Sequence, residues 1–220
     1  MMMNREMRKT RIKDQAKDSK WIDPFSEEEI NEFFENRDEN SEAWLSKVLD
    51  PKEAAKVFAK EALALEKDFG LETIIATDKN AVPVFDDDIR FEYIIAVEDF
   101  ESRLDDGGEA VAVFIREEGK VIAFGIASKD DQETEIEVIE VEINSSRRAG
   151  LSKEIEIENL QFTIGVSHLV LLKLLEHCRS SIWSDATNES SRYVFKSLGF
   201  VRDEGSANPC ILRKDLRKEE

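Results

Sequence analysis

The chain has 220 residues, 41% hydrophobic and 36% charged, with 31 Lys/Arg against 49 Asp/Glu and a net charge of −18. That balance reads as a soluble globular protein and argues against a nucleic-acid surface, which needs a clustered basic field; no run approaches the roughly 20 apolar residues of a membrane span, and the N-terminus lacks a signal peptide's apolar segment. Two cysteines, Cys178 and Cys210, and the lack of any zinc-like Cys/His spacing point to a reduced, cytoplasmic chain with no resident metal.

The first 20 residues carry seven Lys/Arg against three acids and read as a basic, disordered tail. Residues 21–70 read as a helical extension. Ser26 with Glu29 three residues on is a capping-box pattern, and Ile30, Phe33 and Phe34 supply the apolar stripe of a first helix. A second, longer helix is signalled by Asp50 as N-cap, Pro51 at the first helical position, Glu53 at the third and Gly70 as the stop. Its Ala54, Val57, Phe58, Ala62 and Leu65 keep helical spacing. No catalytic pattern occurs in this region; its helices cover a core or form a homodimer surface.

Residues 71–76 read as a short apolar strand and 81–88 as a loop broken by Pro83. The stretch 90–97 reads as a strand and 99–104 as a helical turn before Gly107 and Gly108. The pattern then sharpens: 110–115 and 121–127, joined by a turn at 117–120, form a hairpin of two largely buried strands. A polar loop at 129–133 leads to a third strand over 134–144. Its acids fall on odd positions at Glu135 and Glu137, then on even positions at Glu140 and Glu142, with Val138 and Ile139 adjacent at the slip. Strand faces alternate with period 2, so the slip implies either a β-bulge or a change in which face is buried.

Two glycine-containing segments follow. Arg147, Arg148 and Gly150 run into 153–158, which alternates like a strand, whereas Gly165, Val166, Ser167 and His168 run into the apolar stretch 169–178, a buried helix. Free backbone N–H groups and the positive end of a dipole exist only at a helix N-terminus, so the second segment is the better anion cradle. An inserted hairpin over 152–164, turning near Glu158 and Asn159, connects the two, and Arg147 and Arg148 then lie near the bound anion.

The last motif is the most specific. After a short strand at 182–186, Asn188, Ser191, Phe195, Gly199 and Phe200 fall at offsets 0, +3, +7, +11 and +12. They mark an amphipathic helix with Ser191, Val194, Phe195 and Leu198 on one face, stopped by Gly199 at the C′ position before a strand from 200 and a closing strand at 210–213. With the element order upstream, residues 71–215 resemble the GNAT superfamily of acyl-CoA-dependent N-acetyltransferases. The resemblance implies an α/β fold of the α+β kind: a central mixed, mostly antiparallel sheet flanked by helices, forming a domain over 71–220 behind the N-terminal helical extension.

The same resemblance implies acetyl-CoA as cosubstrate. Its pantetheine arm would add to the edge of the third of these strands at Val141 and Ile143, where the family's bulge splays the sheet. Its pyrophosphate would rest on Gly165, Val166, Ser167 and His168, with Arg147 and Arg148 close by, while Asn188 binds cofactor or only caps its helix. The family's loop has the form Arg/Gln-x-x-Gly-x-Gly/Ala. Here the segment at 147–152 ends in Ser, and the one at 162–167 lacks the leading Arg/Gln. The implied reaction is acetyl transfer to the primary amine of a basic small molecule or peptide. Glu137 stands where some members carry a catalytic base, with Glu140 next. The family's usual acid is a tyrosine at offset +7, and here that residue is Phe195. Tyr193 projects roughly 200° away on an ideal helix. Either the thiolate leaves without an acid, His168 or Cys178 serves, or the chain is an inactive binding module.

Overall fold

The carboxylate of Asp50 accepts the N–H groups of Lys52 at 3.0 Å and Glu53 at 3.2 Å, opening helix α1, Pro51–Phe69. Gly70, left-handed at φ 63°, closes it. The computed structural model describes residues 50–83, 91–130, 133–140, 150–186, 189–206, 208 and 210–218, with the side chains of 91–95, 130, 133, 135, 137–140, 189 and 218 outside the description. The basic tail and the helix expected after Ser26 therefore lie outside the described residues.

The other α-helices and strands among the described residues are β1 (Glu72–Ala76), α2 (Phe91–Asp105), β2 (Ala110–Glu117), β3 (Lys120–Asp130), β4 (Glu133–Glu140), β5 (Ser152–Ile157), β6 (Leu160–Gly165), α3 (Val166–Leu175), β7 (Ser181–Asp185), α4 (Glu189–Ser197), β8 (Val201–Arg202) and β9 (Ile211–Asp215). Seven strands form one sheet in the order β1-β2-β3-β4-β7-β9-β8, and β5 and β6 form a separate hairpin. β4 and β7 pair parallel; the other neighbours pair antiparallel. The chain is thus an α+β protein with a mixed, mostly antiparallel sheet and helices on its faces. No described helix is long and apolar enough to cross a membrane.

Alternation along β2 divides the interior. Val111, Val113 and Ile115 belong to the larger core with α1, the β5–β6 hairpin, α3 and α4, while Ala112 and Phe114 belong to a second core with Ala96 and Phe100 of α2. Where a strand was expected over 90–97, the described residues from Phe91 onward are helical instead. Ala96, Phe100 and Leu104 recur every four residues, which lays one face of α2 on Phe114, Phe124 and Ile126.

The inserted hairpin forms as expected. Glu158 at φ 51° and Asn159 at φ 66° make a two-residue turn whose twist suits two antiparallel strands. Lys153 on β5 pairs with Glu61 at 2.9 Å and Asp68 at 2.7 Å, tying the hairpin to α1. Helix α1, read from the sequence as part of an extension, buries Ala54, Phe58, Ala62 and Leu65 in the larger core.

The bulge expected at Val138 and Ile139 is absent from the β3–β4 ladder. The register runs unbroken from Asp130–Glu133 to Ala123–Glu140, and the irregularity sits instead between β2 and β3 at Ile115 and Arg116. Regular antiparallel pairing to β3 holds β4 straight.

Candidate functional site

β4 and β7 pair over three rungs only, from Glu133–Ser181 to Glu135–Trp183. β4 then runs five residues further, to Glu140. The pairing with β7 therefore ends at Glu135 with no bulge in the β3–β4 ladder. At the point of parting, the buried Ser184 hydroxyl donates to the Ile136 carbonyl at 2.9 Å. Glu137 lies two residues past the last rung, opposite Ile126, and Glu140 lies opposite Ala123. Both acids expected to act as base thus stand on the segment of β4 that has left β7. Val141, Ile143, Arg147 and Arg148 lie outside the described residues.

The hairpin delivers the chain to the N-terminus of α3. Gly165 is its N-cap, and Val166, Ser167 and His168 form the first turn, whose N–H groups have no acceptor within the helix. Gly165 has an extended backbone, φ −131° and ψ −178°, which any residue can adopt. The space beside it is open: a Cβ built there meets only Ser152 Cβ, at 3.9 Å. Its N–H donates to His168 Nδ1 at 3.2 Å, the reciprocal half of a capping box.

His168 is only 3% exposed, stacked on Phe58 with ring centroids 6.1 Å apart and met edge-on by Tyr193 at 5.6 Å. Burial drives its pKa down to about 4, so the ring is neutral. With Nδ1 accepting, the proton sits on Nε2, which is buried and has no hydrogen-bond partner among the described residues. His168 is therefore a core residue of the first turn and not a surface ligand.

Helix α4 follows β7, with Asn188 just ahead of it and outside the described residues. Phe195, at the place of the family's tyrosine, is 3% exposed and packs edge-on against Phe200 at 4.9 Å. Tyr193 is committed elsewhere. Its hydroxyl donates to the Thr163 carbonyl at 2.9 Å and accepts the Thr163 N–H at 3.2 Å, and burial pushes its pKa to about 12.

Cys178 lies just past the end of α3, not on the helix as expected, with its thiol donating to the Leu174 carbonyl at 3.2 Å. Burial pushes this thiol up to about 11, against a hydrogen bond with Thr134. Thr134 pairs with Ile182, so Cys178 belongs to the closed end of the β4–β7 seam.

Sequence reasoning missed Arg192, which is 3% exposed on α4. Its guanidinium donates to the Ala186 carbonyl and to Cys210 Sγ, both at 3.1 Å, fastening α4 to the ends of β7 and β9. The signal was faint, because position 192 falls beside the apolar stripe and a charged side chain there reads as solvated.

No protein-family model matches the chain, and no curated protein matches it significantly. A crystal structure of a ribosomal-protein-alanine N-acetyltransferase from Brucella melitensis is similar over 77% of this chain and 98% of its own, with 16% sequence identity and a TM-score of 0.38, too distant a likeness to carry an argument.

Proposed function

We propose that this chain is a GNAT-type acetyltransferase that binds acetyl-CoA along the freed edge of β4 and acetylates the primary amine of a basic small molecule or protein. The observation that carries the reading is the parting of β4 and β7 after Glu135 and Trp183, followed in the chain by a helix N-terminus. Backbone groups on a strand alternate in direction. Ile136 turns its carbonyl toward β7, so Val138 and Glu140 carry the next outward-facing groups on that edge. An extended amide chain such as pantetheine has the donors and acceptors to pair with them. In this reading Val141 and Ile143, which follow Glu140 in the sequence, are further contacts of the cofactor.

The first turn of α3 suits a pyrophosphate. Val166, Ser167 and His168 supply N–H groups, and the open space at Gly165 admits an oxygen where a larger side chain would intrude. Arg147 and Arg148 add positive charge, and Asn188 serves as a contact or cap ahead of α4. Acetyl-CoA, when bound, supplies a thioester whose C–S bond is exchanged for the new amide bond. Glu137 takes the proton of the acceptor's ammonium, directly or through one water, with Glu140 second in line. The net charge of −18 favours cationic acceptors. Proton donation from His168 or Cys178 has no geometric support: one is neutral and buried, the other lies at the closed end of the seam. A thiol with an ordinary pKa of about 8.5 can leave as thiolate without an acid.

Calorimetric titration with acetyl-CoA and with free coenzyme A tests the reading. Micromolar affinity, about 8 kcal/mol, supports it and leads to a screen of amines for thiol release. A folded sample that binds neither ligand rejects it. The burial of Phe195 favours a second reading, a binding module on the same fold that has lost turnover. Cofactor binding without thiol release from any amine selects that one.

A further inference from the structure

The carbonyl of Ile136 and the hydroxyl of Ser184 meet just past the last rung of the β4–β7 ladder. Ala186 gives its N–H to the Cys210 carbonyl on the β9 side at 2.9 Å. By alternation the Asp185 N–H points the other way, toward β4, and its acceptor in a continued parallel ladder is the Ile136 carbonyl. The ladder nevertheless stops one rung short, at Glu135–Trp183. The Ser184 side chain, 4% exposed, holds that carbonyl at 2.9 Å instead.

We infer that Ser184 is a positioning residue: its hydroxyl takes the place of a backbone rung, ends the β4–β7 ladder and holds open the crevice along Val138 and Glu140. A serine suits this task. A buried carbonyl stripped of its partner costs free energy, so the strands part there only if something else satisfies it. The hydroxyl does so from a side chain, which lets the two backbones diverge. Its use in cofactor binding rests on the acyl-CoA reading above; its effect on the ladder does not.

The test compares Ser184→Ala and Ser184→Thr with the native chain by amide hydrogen exchange and by calorimetry. In Ser184→Ala the Ile136 carbonyl passes to the Asp185 N–H, and exchange at that amide slows at least tenfold. Coenzyme A affinity drops about tenfold as the crevice narrows, whereas adenosine 3′,5′-bisphosphate, which lacks pantetheine, binds as it does to the native chain. Ser184→Thr retains the hydroxyl and restores both native values. A general packing defect would instead raise exchange across β7 and weaken both ligands alike, overturning the inference. Unchanged exchange at Asp185 in Ser184→Ala overturns it too, whatever the calorimetry gives. Slowed exchange in a chain whose native form binds no coenzyme A leaves the ladder role standing and removes only the acyl-CoA reading.

Discussion

His168 shows how a motif residue changes meaning with its surroundings. In the sequence it closes a Gly-x-Ser-His segment that reads as an anion cradle; in the fold only its backbone N–H remains on offer, because the ring lies between Phe58 and Tyr193. The folded-state pKa of about 4 lies below the ordinary 6.5, so the unfolded chain takes the proton first. Stability from this group is intact above pH 6.5 and is lost as the pH falls toward 4, on the order of 3 kcal/mol in full. His168→Gln keeps an acceptor for the Gly165 N–H but cannot titrate, and should flatten the fall in urea midpoint between pH 6.5 and 4. Parallel curves for the two proteins would falsify the buried neutral imidazole. Glu137 is the matching case for chemistry. If it is the base, Glu137→Gln lowers kcat by about 10²- to 10⁴-fold while coenzyme A affinity stays as it was; an equal loss in both would reassign it to binding.

At the scale of elements, the strongest sequence signals came from helix ends. Asp50, Pro51 and Gly70 bound α1 as read, because capping chemistry acts over three or four residues and needs no tertiary partner. Gly199 does the same for α4. At φ 86° it lets the Phe200 N–H reach the Phe195 carbonyl at 3.1 Å and its own N–H reach Lys196 at 3.0 Å. Gly199→Ala should cost about 1–2 kcal/mol in denaturant unfolding, since an L-residue resists that conformation; the added Cβ also comes within 3.3 Å of Lys214 Nζ, which donates to the Leu198 carbonyl at 2.8 Å. Gly165 is the opposite kind of glycine, extended and unstrained. Gly165→Glu should therefore fold normally and yet lose coenzyme A binding, because it sets a carboxylate where the pyrophosphate rests. Native affinity in that variant would remove the first turn of α3 from the site. α2 was misread because aromatic and β-branched residues at 91–97 carry strand propensity, which the burial of Ala96 and Phe100 against the sheet overrides.

Across the whole molecule, α1 is the wall that joins the hairpin to the sheet domain. Phe58, fully buried, touches Phe162 of the hairpin at 5.4 Å, His168 of α3 at 6.1 Å and Tyr193 of α4 at 6.3 Å. Phe58→Ala should destabilise the protein by about 3–5 kcal/mol. Unfolding should remain a single transition by circular dichroism and tryptophan fluorescence together. A separate early transition of helical signal alone would show that α1 is not part of the same cooperative unit. The site inherits this dependence, because α1 and the hairpin together set where the first turn of α3 sits.

The sequence by itself determined the order of the elements apart from α2, the capped ends of α1, the glycine stop of α4, the turn at Glu158 and Asn159 and the hairpin it closes, all of which rest on local geometry and on the periods of strand and helix. It also pointed to the segment of β4 that carries Glu137. Only the tertiary structure decided how the sheet opens. A slip in the alternation of acids suggested a bulge in β4, whereas the parting comes from a serine on β7, 48 positions away in the chain, meeting the Ile136 carbonyl. Likewise, the withdrawal of His168, Phe195 and Arg192 into the interior depends on Phe58, Phe200 and the ends of β7 and β9. Burial is a property of neighbours brought together by folding, and no single stretch of residues encodes it.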